Sequence, residues 1–216
     1  MNRREFSAAA AGAMGALALG LPGLALAQRM FEEGKDYRAV DKRVPVDAPP
    51  GKIEVTEFFW YSCPHCNAFE PKLVAWSRRL PPDVVLKRVP VAFRDDFVPQ
   101  QRLFYTLEAM GKLDELHQKV FDAVHKQHLP TDREDSIVKF AESNGLDRAK
   151  FLELYNSFSI SAKARRATQL QNAYQVEGVP ALGIAGRYYV DGEIGKGMDR
   201  ALQITDYLIG VARKAQ

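Results

Sequence analysis

The sequence predicts an α/β protein, a mixed central sheet flanked by helices and interrupted by an all-helical block. Three observations lead there. Two runs rich in β-branched and aromatic residues, 52–61 and 84–93, flank a stretch with helical periodicity. Between 98 and 175 no run has strand character and apolar residues recur at helical spacing. Two short strand-like runs and a last amphipathic helix follow, so the order is β-α-β, helices, β-β-α.

Taken along the chain, residues 28–50 have no strong periodicity and lead into the turn-rich Asp47-Ala48-Pro49-Pro50-Gly51. KIEVTEFFWY, 52–61, becomes nearly continuous in apolar character, as a strand covered on both faces does. From Pro64 the stripe Phe69, Leu73, Trp76 and Leu80 marks a helix that Pro81-Pro82-Asp83 stops. In the second strand, 84–93, Pro90 lacks the N–H that a ladder needs and points to an edge or a bulge. The helical block divides into segments led by Leu103, Leu107 and Met110; by Leu113, Leu116, Val120 and Val124; and by Ile137, Phe140 and Ala141. Gly145 stops the third, Asp147 caps a fourth through Phe151 and Tyr155, and SAKARRATQLQNAYQ forms a long fifth with a solvated basic face. VPALGIAGRYYV gives two strands around the turn Ala185-Gly186, and the chain ends in a helix beginning at Met198 in which Leu202, Tyr207 and Leu208 are apolar.

The first 27 residues have the pattern of an export signal: Arg3 and Arg4, an Ala- and Gly-rich apolar stretch, then Ala25-Leu26-Ala27 as a cleavage site. The stretch is long enough to be an anchor, but it is only moderately apolar, contains Pro22 and ends in small residues. RREF also fits the twin-arginine pattern. The mature domain is expected over 28–216, with its helical insertion at about 98–175, in a Gram-negative periplasm or a similar oxidising space. A chain of 216 residues that is 46% hydrophobic can bury a proper core. Its net charge of +3 falls to +2 without Arg3, Arg4 and Glu5, and no basic run supports a nucleic-acid partner.

FFWYSCPHCNAFEP holds the chain's two cysteines, Cys63 and Cys66, with Pro64 and His65 between them. As a staple the pair would close almost no loop and add little stability. As half of a zinc site it lacks a second Cys pair, and His125 and His128 are only three apart. Redox chemistry fits the position better. Cys63 falls where a strand becomes a helix, with Pro64 in the first turn, so its sulfur faces free N–H groups and the positive end of the helix dipole. That setting, with His65 beside it, favours a thiolate, and a stabilised thiolate makes the disulfide form oxidising. Cys66, one turn on, is the less exposed partner.

EFFWYSCPHCNAFEP resembles the DsbA-type thiol:disulfide oxidoreductases of the thioredoxin-like superfamily. Gly178-Val179-Pro180, just before a short strand, matches a second feature of that family, and Glu57, six residues before Cys63, a third. The resemblance spans residues 35–213 and implies a thioredoxin-like fold with an inserted helical domain. It implies a cis Val179–Pro180 bond facing the cysteines, with the Val179 backbone binding substrate peptide. Glu57 would be a buried acid that helps to move protons. The implied activity is donation of the Cys63–Cys66 disulfide to reduced or unfolded exported proteins by a monomer without cofactor or metal. A quinone-linked membrane protein of the DsbB type would reoxidise it. Unlike some relatives, the chain has no second, structural cysteine pair. A disulfide reductase or isomerase of the same fold stays open as an alternative, as does a peptide-binding chaperone or metal carrier. His117 and His125 are expected to be surface or half-buried residues.

Overall fold

The continuous apolar run predicts a fully covered strand, and every residue of Ile53–Phe59 is buried. The computed structural model describes residues 30–215; the expected leader, 1–27, lies outside them. The chain runs β1 (Arg38–Ala39), β2 (Ile53–Phe59), α1 (Pro64–Ser77) and β3 (Val84–Pro90). Five helices follow: α2 (Val98–Ala109), α3 (Leu113–His125), α4 (Glu134–Ser143), α5 (Arg148–Tyr155) and α6 (Phe158–Ala173). The chain returns to the sheet as β4 (Ala181–Ile184) and β5 (Tyr188–Asp191) and ends in α7 (Met198–Lys214).

The sheet order is β1-β5-β4-β2-β3. Only β2 and β3 are parallel, as a helical crossover requires, and the other pairs are antiparallel. β3 is an edge strand that ends on Pro90, where a missing N–H costs no ladder bond. One face of the sheet, through Ile53 and Val55, packs on Phe69, Leu73 and Trp76 of α1 and on Ile204 and Leu208 of α7. Phe58 points the other way, to Tyr174 and Ala167. The parallel register sets Glu57 beside Arg88, so alternation puts both side chains on the α1 face.

Several local details differ from the sequence reading: α1 ends at Ser77, before Leu80, and β3 ends at Pro90 rather than Phe93. The approach segment contains the two-residue β1, paired through Arg38 with Tyr189. The fifth helix of the block starts at Phe158 rather than Ser161, because the Ser157 side chain accepts from the Ile160 N–H and caps it there.

Candidate active site

Cys63 ends the segment Trp60-Tyr61-Ser62 that leaves the central strand. Its backbone is extended (φ −81°, ψ 118°), which makes it the N-cap of α1, and Pro64 takes the first-turn position. Its N–H donates to the Trp60 carbonyl at 3.0 Å. The Cys66 N–H donates to Cys63 Sγ at 3.4 Å, and the Cys63 thiol faces the Val179 carbonyl at 3.4 Å. Val179–Pro180 is a cis peptide. Two segments 116 residues apart in sequence thus meet at one sulfur. Both cysteines are free thiols, Cys66 wholly buried and Cys63 nearly so, while Pro64 and His65 are exposed.

The two sulfurs differ in acidity. Cys63 is lowered to about 6, first by the hydrogen bond from the Cys66 thiol, then by the backbone N–H groups of Cys66 and His65 and by the His65 charge, against the cost of burial. Cys66 is pushed far up by burial, by its bond to Cys63 and by the Cys63 charge. At neutral pH the pair therefore holds one thiolate, on Cys63, and one thiol. Beside it opens a groove of about 780 Å³ between His65, Val179, Pro180 and Met198, with Glu177 and Glu193 among its lining residues.

The helical block grips the segment in front of Cys63. Ser62 N–H donates to Gln100 Oε1 at 3.2 Å, and Gln100 Nε2 donates to Ser62 Oγ at 2.6 Å and to Thr131 Oγ1 at 2.7 Å. His125 Nε2 lies 2.8 Å from the Tyr61 carbonyl, and Trp60 stacks on Phe97 at 3.9 Å. Glu57 is buried, with Arg88 Nε 3.2 Å away, and Arg88 Nη2 donates to Glu70 at 2.6 Å. Burial and the Glu70 charge raise Glu57 to about 8, only partly offset by Arg88. Among the described residues no group of three or more His, Cys, Asp or Glu is placed to hold a metal ion.

Residues 83–208 match the model of the DSBA-like thioredoxin domain. The thiol:disulfide interchange protein DsbA of Pseudomonas aeruginosa is 42% identical over 193 residues, 89% of this chain and 91% of that protein. The chain belongs to the DsbA family. The DsbA of Azotobacter vinelandii is 40% identical and covers 92% of both chains. The crystal structure of Pseudomonas aeruginosa DsbA superposes with a TM-score of 0.81 at 42% identity, over 86% of this chain and 96% of that one. The oxidoreductase DsbA of Xylella fastidiosa gives 0.78 at 31% identity, over 85% and 98%. Membership of the DsbA family makes the chain a thiol:disulfide oxidoreductase with a thioredoxin fold and an inserted helical domain.

Within that DsbA fold several polar residues at the site escaped the sequence reading. His117, expected at or near the surface, is buried among Phe59, Tyr61, Phe104 and Phe121. The signal was there, since His117 lies on the Leu113, Val120, Val124 stripe that faces inward. Glu70 and Arg88 each lie in an element read only for its apolar residues. Gln100 left no trace, because a glutamine in an amphipathic helix usually faces water.

Proposed function

We propose that this protein oxidises thiol pairs in reduced or unfolded exported proteins, with Cys63 as the sulfur attacked and Cys66 as its disulfide partner. The observation that carries the reading is the asymmetry of the pair: a Cys63 lowered to about 6 beside a Cys66 pushed up. A substrate thiolate attacks Cys63 Sγ, the Cys63–Cys66 bond breaks, and its electron pair goes to Cys66, which takes up a proton. The second substrate thiol loses its proton and its thiolate attacks the substrate sulfur of the mixed disulfide. Cys63 then leaves as the stabilised thiolate. Two substrate thiols give one disulfide; of their two protons Cys66 keeps the equivalent of one and solvent takes the other.

In this reading the Val179 backbone binds an extended substrate segment in the groove, Pro180 shapes that wall, and Pro64 and His65 tune the Cys63 environment. Glu57 supplies the proton that Cys66 takes. The reading places the mature chain, after removal of residues 1–27, in the periplasm as a monomer. A quinone-linked membrane partner of the DsbB type reoxidises it. Equilibration in graded glutathione buffers, followed by the fluorescence of Trp60 and Trp76, tests the direction. The expected result is a dithiol that persists in strongly oxidising buffer. A disulfide that survives strongly reducing buffer would overturn the reading and make the protein a reductase.

A further inference from the structure

β2, α1, β3 and α3 each send one ionisable side chain into a single buried space: Glu57, Glu70, Arg88 and His117. Of the seven buried side-chain polar atoms without a hydrogen bond among the described residues, four belong to this group: Glu57 Oε2, Glu70 Oε2, Arg88 Nε and His117 Nε2. Buried unpaired polar atoms are costly, and their concentration beside a redox pair calls for a reason. The charges do not balance, since two carboxylates share one guanidinium. Burial lowers the His117 pKa against the opposing pull of Glu70 and Asp114, so its imidazole is neutral at neutral pH. A net negative charge in so dry a site is unfavourable, and the two carboxylates are expected to share one proton.

The two carboxylates are not equivalent. Glu70 Oε1 accepts from Arg88 Nη2 at 2.6 Å, and Glu70 Oε2 lies 3.6 Å from His117 Nε2, too long for a hydrogen bond. Among the described residues Glu57 has only Arg88 Nε, 3.2 Å away and not making a hydrogen bond. The orientation of His117 comes from Tyr61, whose hydroxyl lies 2.8 Å from Nδ1. Burial raises the Tyr61 pKa well above its usual value, so the phenol keeps its proton. Its hydroxyl has no other hydrogen-bond partner among the described residues and therefore donates to Nδ1, which leaves the ring proton on Nε2, 3.6 Å from Glu70 Oε2.

We propose that Tyr61 and His117 are positioning residues for the proton of the exchange reaction: by placing an imidazole N–H near Glu70 they hold negative charge there and place the shared proton on Glu57. Glu57 is close enough to Cys66 for its charge to act on that sulfur. When the disulfide opens, Cys66 receives the electron pair of the S–S bond and the Glu57 proton. Glu57 is left a carboxylate facing Arg88 only until a proton released by the substrate thiols reaches it from solvent, which restores the protonated acid of the reduced protein. The inference rests on the oxidase reading above and adds to it the residues that decide where the proton waits.

The test is a carbon-13 NMR titration of the Glu57 and Glu70 side-chain carboxyls in the oxidised protein, where neither cysteine titrates. In the wild type the first proton taken up as pH falls is expected on Glu57. In Tyr61→Phe and His117→Phe the Glu57 midpoint is expected to fall by about one pH unit or more. Their exchange rates relative to wild type are expected to drop several-fold at neutral pH and recover in mild acid, where Glu57 regains its proton; a merely structural defect would not recover. First uptake on Glu70 in the wild type, or a Glu57 midpoint unmoved in both variants, overturns the proposal. Should both variants unfold, the wild-type titration still decides. The titration does not depend on redox direction, so failure of the oxidase reading would show separately, in the glutathione equilibrium.

Discussion

The lowered Cys63 pKa makes the stability of the reduced protein depend on pH in a way that the oxidised protein cannot share. The perturbation is a change from about pH 5 to about pH 7, which crosses the folded value of about 6 but stays below the ~8.5 expected for an unfolded thiol. An acid whose pKa is depressed by folding stabilises the fold above that folded value and loses the contribution as pH falls through it. At pH 7 the folded reduced protein is largely thiolate and the unfolded chain largely thiol, which linkage converts to ~1.4 kcal/mol in favour of the folded reduced form. At pH 5 both are thiols and the contribution vanishes. Cys66, held as a thiol in the fold, opposes this only above about pH 8.5, where the unfolded chain begins to ionise. Groups such as Glu57 are present in both redox forms, so the quantity to read is the reduced-minus-oxidised difference. Urea unfolding of the two forms should show that difference growing by ~1.4 kcal/mol, the equivalent of ~30 mV in the potential of the pair. Ultraviolet thiolate absorbance should titrate over the same interval. A flat difference, or a thiolate that appears only near pH 8.5, would refute the account of Cys63.

Two further substitutions probe how the site is held. Gln100→Leu strips partners from the Ser62 N–H, the Ser62 hydroxyl and the Thr131 hydroxyl, and should cost about 1–3 kcal/mol in urea unfolding and slow exchange. A variant as stable and as fast as wild type would mean that the helical block does not position the segment before Cys63. Gly186→Ala forces a side chain onto a backbone at φ +68° and against the Val44 carbonyl, and should cost more than about 2 kcal/mol. An unchanged midpoint of thermal unfolding would show that the turn between β4 and β5 relaxes freely.

The sequence by itself determined the elements and the position of the redox pair. Those properties are local: a run such as FFWY reads as a buried strand and a Pro after Cys63 as a helix start, because period and capping are set by near neighbours. Glu57 and Val179-Pro180 were found only through family resemblance, since nothing near them in the chain marks them. β1 was invisible because two residues carry no period, and only the register with Tyr188 and Tyr189 makes them a strand. The tertiary structure alone brought the Val179 carbonyl to Cys63 Sγ, Gln100 to Ser62, and Glu57, Glu70, Arg88 and His117 into one space. Those groups come from β2, α1, β3 and α3, and a charge's effect depends on burial and distance, which sequence separation does not encode. Whether His117 met water or Glu70 was decided by how α3 packs on α1, and with it the electrostatics beneath the cysteines.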